Sequence, residues 1–190
     1  TCSNSYTLFG YTAMATFYIV SQWLAQYGES VAGMPYSEAL KLLSIYTTGS
    51  LAGVFCSSLA LRTFLSPQMM LLGCTTVSTL ALAVACFFPS PTVMFGFSFI
   101  FGFAAAGGVV QLGLAMMASQ FPRARGRATG IYYSAGSISN FTMPLITAWI
   151  VREWSIHEIF KFDVIISGCG ILLAVFIAWR SRHAQAIDLN

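Results

Sequence analysis

Hydrogen-bonding side chains recur at helical spacing in the first apolar stretch of this chain. Tyr11, Ala15, Tyr18 and Gln22 fall on one face of a helix with 3.6 residues per turn, and Gln26 lies just beside that face. Phenol and amide groups bind polar molecules through hydrogen bonds without carrying charge. We therefore predict that this face binds a solute. The alternative is hydrogen bonding between helices, which is the commoner role of a single Tyr.

Gln111 is the second candidate for solute binding. It is the one strongly hydrogen-bonding side chain in the middle of the fourth apolar stretch, where Gly107, Gly108 and Gly113 surround it. A buried amide in hydrocarbon is costly unless it has a hydrogen-bonding partner. We expect Gln111 to face either a cavity or another helix.

The ionisable residues offer little catalytic chemistry. Asp163 is the deepest of them, and because it lies close to Lys161 we interpret it as a solvated anchor at the membrane surface. A proton-coupling role is the alternative for such a carboxylate. His157 and His183 lie outside the apolar stretches, so no nucleophile has a base at the same depth. We predict no enzymatic activity, no cofactor and no metal site.

The candidate residues lie on six long apolar stretches. Hydrophobic residues make up 57% of the 190 residues and charged residues only 8%, too few to cover a water-facing surface. A membrane-spanning helix needs about 20 mostly apolar residues. We predict an all-α polytopic membrane protein, a single six-helix bundle over residues 1–190, with spans near 8–27, 37–61, 68–88, 93–120, 127–151 and 159–179.

Basic residues indicate how the bundle is oriented. Arg123, Arg125 and Arg127 crowd the loop before the fifth span, and Arg62 lies in the second loop. Arginines beside membrane spans mark the cytoplasmic side. We predict a cell-membrane protein with both termini in the cytoplasm. Its net charge of +3 is too small to indicate nucleic acid as a partner, so lipids are the expected surroundings.

Small residues and a proline shape the fifth span. Gly126 and Gly130 should let this helix start close against a neighbour, as small residues do between membrane helices. Pro144 lies inside the span and should kink it. Asn140, one turn earlier, is placed to bond a carbonyl group that the kink frees, a role we favour over ligand contact.

Short motifs return in the same order in the second half of the chain. Three helices followed by three similar helices cross a membrane in opposite senses, so this order predicts a 3+3 inverted repeat. The alternative is that such residue pairs are simply common in membrane helices. The motifs are Phe9-Gly10 and Phe95-Gly96, Tyr46-Thr-Thr-Gly-Ser50 and Tyr133-Ser-Ala-Gly-Ser137, and Gly73-Cys74 and Gly168-Cys169.

The loop and helix from Phe121 to Pro144 resemble those of a major facilitator superfamily half. Phe121-Pro-Arg-Ala-Arg-Gly-Arg-Ala-Thr-Gly130, followed by Tyr132-Tyr-Ser-Ala-Gly-Ser137, is similar to that family's fourth loop and fifth helix. The resemblance implies a second six-helix half around a central cavity, which the first and fourth helices line. It also implies structural or gating roles for Arg62, Arg123, Arg125, Gly126, Arg127, Gly130, Gly136, Asn140 and Pro144.

The loop from Leu59 to Pro67 departs from the family's pattern. Of the charged motif usual between the second and third helices it keeps only Arg62, which favours a carboxy-terminal half. The chain begins with Thr1, so we interpret it as a fragment of a longer protein.

These patterns together predict transport of a small solute by alternating access, with this chain as one half of a secondary transporter and the missing half as its partner. A mix of Tyr and Gln without cavity charges favours a neutral or weakly polar solute, such as a sugar. The alternatives are a non-transporting membrane scaffold or signalling protein and, more remotely, an intramembrane enzyme.

Overall fold

Six helices make up nearly all of the described chain. The computed structural model describes residues 2–60, 66–120 and 124–187, and it contains no strand in these ranges. The residues of the predicted spans lie on these helices, except Phe88, which follows α3, and Leu61, which lies outside the described residues. The helices are α1 (Cys2–Ser30), α2 (Tyr36–Ala60), α3 (Pro67–Phe87), α4 (91–120), α5 (Arg125–Glu153) and α6 (Ile156–Ile187).

The fourth helix changes its winding in the middle. Two α-helical segments, Pro91–Phe101 and Val110–Gln120, flank a π-helical segment, Gly102–Val109. At the end of this segment the amide of Val110 donates to the carbonyl of Ala105, five residues earlier. Such wide turns are rare and often occur at functional sites. The sequence analysis did not predict this change of winding.

Glycines bring the middle of α4 into backbone contact with α2. A Cβ atom at Gly102 would overlap the carbonyl of Tyr46, and one at Gly107 would overlap the backbone of Gly53. On α2, a Cβ at Gly49 would overlap the carbonyl of Phe99. Small residues on both helices therefore fix this pair at the close distance typical of packed membrane helices.

Tyr27 ties α1 to α3 and α6 near one end of the bundle. Its ring stacks on Phe160 with the centroids 3.8 Å apart, and its hydroxyl donates to the carbonyl of Ala85 over 3.2 Å. All three residues lie inside the bundle, so the phenol's donor finds a partner where water is absent.

Tyr132 of α5 joins α5 to α1 and α4 near the other end of the bundle. Its ring lies against α1, where a Cβ at Gly10 would come within 2.8 Å of it. Its hydroxyl donates to the carbonyl of Val110 on α4 over 3.3 Å. A Cβ at Gly113 would lie 2.6 Å from that hydroxyl, so the two glycines make the space for this side chain.

The helix pairings agree with the predicted repeat. α1 packs against α5 and α6, and α4 packs against α2 and α3. Exchanging the first three helices with the last three converts one set of pairs into the other. The repeat itself stays a prediction.

Four of the six helices are long and apolar enough to cross a membrane, within the described ranges: Tyr36–Ala60, Pro67–Phe87, Pro91–Ser119 and Ile156–Trp179. Large apolar side chains such as Phe55, Phe141 and Leu172 lie exposed on the outer surface, as a lipid-facing bundle requires. α1 and α5 each have 29 residues but carry more polar side chains. Their crossing of the membrane stays a prediction.

Candidate functional site

A groove of about 340 Å³ opens between α1 and α5 on the surface of the bundle. This volume lies at the lower end of the range for small-molecule sites. The groove is lined by amide, phenol, indole and hydroxyl groups and carries no charged side chain; its residues are Tyr18, Gln22, Trp23, Gln26, Pro144 and Thr147. This lining can hold a neutral solute by hydrogen bonds and by stacking on the indole.

The predicted polar face of α1 divides into a packing part and an open part. Tyr11 is half-buried, and its hydroxyl lies 2.9 Å from Oγ1 of Thr142 on α5, so it joins the two helices. Ala15 is completely buried. Gln22 is exposed, and its Nε2 donates to the hydroxyl of Tyr18 over 3.1 Å. The Tyr18–Gln22 pair is therefore the part of this face that can meet a solute.

On the α5 side the groove lies against the proline turn. Pro144 has no amide hydrogen, so the carbonyl of Asn140 loses its usual helical donor. Thr147 donates to the carbonyl of Met143 over 2.8 Å within the same turn. The side chain of Asn140 is exposed and bonds to no described residue. Its expected bond to a freed carbonyl is therefore absent from this structure.

Gln111 does not join this groove. It lies in the second α-helical segment of α4 and is exposed. Gly113 faces Phe9 of α1 and Tyr132 of α5, and two residues correspond to about 200° around a helix. Gln111 therefore points away from the helices that form the groove, on another surface of the bundle.

The arginines predicted to gate the protein are only partly described. Arg62 and Arg123 lie outside the described residues. Arg125 and Arg127 are exposed in the first turn of α5. Their positions leave both guanidinium groups open to solvent, lipid headgroups or another part of the protein.

The glycines at the start of α5 do not pack as expected. A Cβ atom at Gly126 or Gly130 would meet no described atom within 4 Å, so the predicted close packing is wrong for the described part of the chain. The close approach occurs one to two turns later. A Cβ at Gly136 would lie 2.8 Å from Cγ of Met14 on α1. Gly136 is therefore a point of close approach between α5 and α1.

Asp163 of α6 is the residue whose importance the sequence analysis missed. It is completely buried, so its interpretation as a solvated anchor is wrong. Lys161 points elsewhere and forms a 2.6 Å ion pair with Glu158 at the surface. The available signal was a carboxylate within a long apolar stretch, which is expensive in a membrane and usually functional.

Two hydroxyl groups lie near the Asp163 carboxylate. The Thr16 hydroxyl of α1 and the Tyr46 phenol of α2 are the neighbouring groups. Neither carboxylate oxygen nor either hydroxyl has a partner with hydrogen-bonding geometry among the described residues. Most buried polar groups in proteins have such partners, so a cluster of four unpartnered atoms is unusual.

Three bacterial proteins are similar to this chain. The inner membrane transport protein YdiM of Escherichia coli (strain K12) is 55% identical over 178 residues, which cover 94% of this chain and 44% of that protein. The inner membrane transport protein YdiN of the same strain is 38% identical over 98% of this chain and 44% of its own length. An uncharacterized MFS-type transporter, YfkL of Bacillus subtilis (strain 168), is 32% identical over 92% of this chain and 44% of its own length.

The chain therefore spans less than half the length of the relatives that it matches. Residues 5–189 match the Major Facilitator Superfamily, which confirms the resemblance seen in the loop and helix from Phe121 to Pro144. Together with the apolar helices, this match identifies an all-α, multi-pass membrane protein. The chain belongs to the Major Facilitator Superfamily.

Proposed function

We propose that the protein containing this chain carries a small solute across the membrane by alternating access. The groove between α1 and α5 carries this proposal, because it places the Tyr18–Gln22 pair on an open surface of a family member. The names of the two E. coli relatives, both inner membrane transport proteins, support it.

The solute is neutral and polar. Tyr18, Gln22, Gln26 and Thr147 offer hydrogen-bond donors and acceptors to the groove, and Trp23 offers an apolar ring. An anionic solute would need a basic side chain in the lining, and a cationic solute would need an acidic one. Sugars and polyols have the matching chemistry.

A second six-helix half completes the cavity. The groove is open on one side, and the chain covers 44% of each relative. In our proposal this chain is the carboxy-terminal half, both termini face the cytoplasm, and the other half belongs to the same polypeptide. Rocking of the halves then exposes the groove to each side of the membrane in turn.

The proposal is tested with the full-length protein in proteoliposomes. Counterflow is measured with a panel of radiolabelled neutral sugars and polyols, beside carboxylates and phosphate esters of similar size. We expect saturable exchange of at least one neutral compound. Exchange of charged compounds alone would contradict the proposed solute class, and no exchange of any compound would count against transport.

A pair of matched variants tests the groove itself. Gln22→Leu should lower the apparent affinity about tenfold, because an unpaired hydrogen-bonding group in a closed site costs about 1–3 kcal/mol. Gln68→Leu is the control, since Gln68 lies at the start of α3 and outside the groove. Equal effects of the two substitutions would place the solute elsewhere.

A further inference from the structure

The buried carboxylate of Asp163 has no counter-charge among the residues that the structure describes. No basic side chain faces it from α1, α3, α4 or α5 within the described residues, and α2 contributes only the Tyr46 phenol. On its own helix, Lys161 pairs with Glu158, and His157 contacts the Cys86 thiol of α3. An ionised carboxylate without a partner is very costly in an apolar interior, and such groups become neutral instead.

A small cavity, lined by both apolar residues and hydroxyl groups, lies beside the same cluster. It measures about 20 Å³, which is enough for about one water molecule. Hydroxyl groups line it from three helices: Thr12 and Thr16 from α1, Thr75 and Ser78 from α3, and Ser167 from α6. Thr16 both lies near the Asp163 carboxylate and lines this cavity. The cavity therefore offers a position for a water molecule that the Thr16 side chain links to the carboxylate.

We propose that Asp163 is a proton-binding site and that its proton is exchanged during the transport cycle. The proton binds one carboxylate oxygen when the helices are packed as in this structure. It leaves to water when α1 and α6 separate enough to hydrate the carboxylate. No other bond forms or breaks, and Thr16 with the neighbouring cavity provides the path for the proton. This inference rests on the proposed transport function.

α1 connects the proton site to the solute groove. Thr16 and Tyr18 are two residues apart, about 200° around the helix, so they lie on nearly opposite faces of α1. One face carries the Tyr18–Gln22 pair and the other meets Asp163. A change in the packing of α1 against α6 on proton release therefore moves the side chains of the groove.

The proton is measured directly, without any solute. Infrared spectra of the full-length protein in nanodiscs at neutral pH should show the C=O stretch of a protonated, buried carboxyl group. Aspartate-specific ¹³C labelling should shift this band. Asp163→Asn should abolish it, whereas Glu158→Gln, which removes the half-buried carboxylate that pairs with Lys161 on the same helix, should leave it unchanged. Should Asp163→Asn not accumulate, Asp163→Glu should abolish the aspartate-dependent shift.

Two results would overturn the proposal. One is a band that Asp163→Asn leaves intact, or no band at all at neutral pH. The other is Na⁺-specific thermal stabilisation, measured against K⁺ at equal ionic strength, that Asp163→Asn removes, because the cluster would then bind a metal cation. Neither experiment involves uptake, so a failure of the proposed solute transport leaves this test unaffected.

Coupling to the groove has its own readout. In a cysteine-free background, Gln22→Cys reports the accessibility of the groove through its rate of maleimide labelling. Thiol ionisation itself changes the labelling rate with pH, so the rate is divided by that of a free-cysteine standard at each pH. The corrected labelling rate should still depend on pH. Adding Asp163→Asn should remove that dependence. A pH dependence that survives this substitution would show that the groove does not respond to Asp163.

Discussion

At the scale of single residues, the hydrogen bond between Tyr11 and Thr142 separates packing from binding. Both side chains are part-buried, and the bond joins α1 to α5. Tyr11→Phe should lower the free energy of unfolding by about 0.5–1.5 kcal/mol, the usual contribution of one such bond. Solute affinity should stay unchanged, since Tyr11 does not line the groove.

The control for this prediction is Tyr133→Phe. Tyr133 is exposed on α5, and within the described chain its hydroxyl takes part in no hydrogen bond. Denaturant unfolding of the detergent-solubilised protein compares the two variants. A loss of solute affinity in Tyr11→Phe with unchanged stability would show that Tyr11 binds the solute.

The residues whose positions the sequence predicted correctly differ in one physical respect from those whose positions it did not predict. Tyr18 and Gln22 are one helical turn apart, so local geometry alone puts them together. Gln111 and Asp163 depend on which helices surround them. Spacing along one helix shows on which face of the helix a side chain lies, but not which helix packs against that face. The groove was therefore partly predictable, and the burial of the carboxylate was not.

At the scale of helices, Gly53 of α2 tests the contact with the π-helical segment of α4. A Cβ at this position would overlap the carbonyl of Phe103, a backbone atom that cannot rotate away. We expect Gly53→Ala to destabilise the bundle by about 1–3 kcal/mol, the usual cost of overpacking. The midpoint of thermal unfolding in detergent measures the effect.

Gly73→Ala is the matched control for this substitution. Gly73 lies within α3, and a Cβ there would meet nothing within 4 Å. Alanine favours a helix over glycine by about 1 kcal/mol, so this variant should be neutral or slightly stabilised. A similar loss of stability in both variants would mean that the effect of Gly53→Ala does not come from the α2–α4 contact.

The repeated glycine motifs occupy comparable environments in two of three cases. Gly49 brings α2 against α4, and Gly136 brings α5 against α1. Gly73 and Gly168 both face open space. The third pair differs, because Gly10 packs on Tyr132 whereas a Cβ at Gly96 meets nothing. Two of the three glycine pairs thus agree with the predicted 3+3 repeat, and the pair in α1 and α4 does not.

The π-helical segment of α4 is the feature at this scale that the sequence did not predict. Its run of Gly and Ala is visible in the sequence, but a change of hydrogen-bond register depends on the opposing helix. The backbone of α2 fits against Gly102 and Gly107. Apolar length predicted where the helices lie, whereas their local winding follows from contacts far away in the chain.

At the scale of the whole molecule, the last prediction concerns the sides of the membrane. Alternating loops must lie on opposite sides if all six helices cross, and the basic residues predict that the loop before α5 lies in the cytoplasm. A cysteine-free background is required because Cys56 and Cys169 are exposed. Ser155→Cys, in the exposed turn between α5 and α6, should react with a membrane-impermeant maleimide added to intact cells. Ala124→Cys, just before α5, should react only after the membrane is opened, and the reverse pattern would invert the topology. Reaction of both sites from the same side would show that α5, the helix that connects them, does not cross the bilayer.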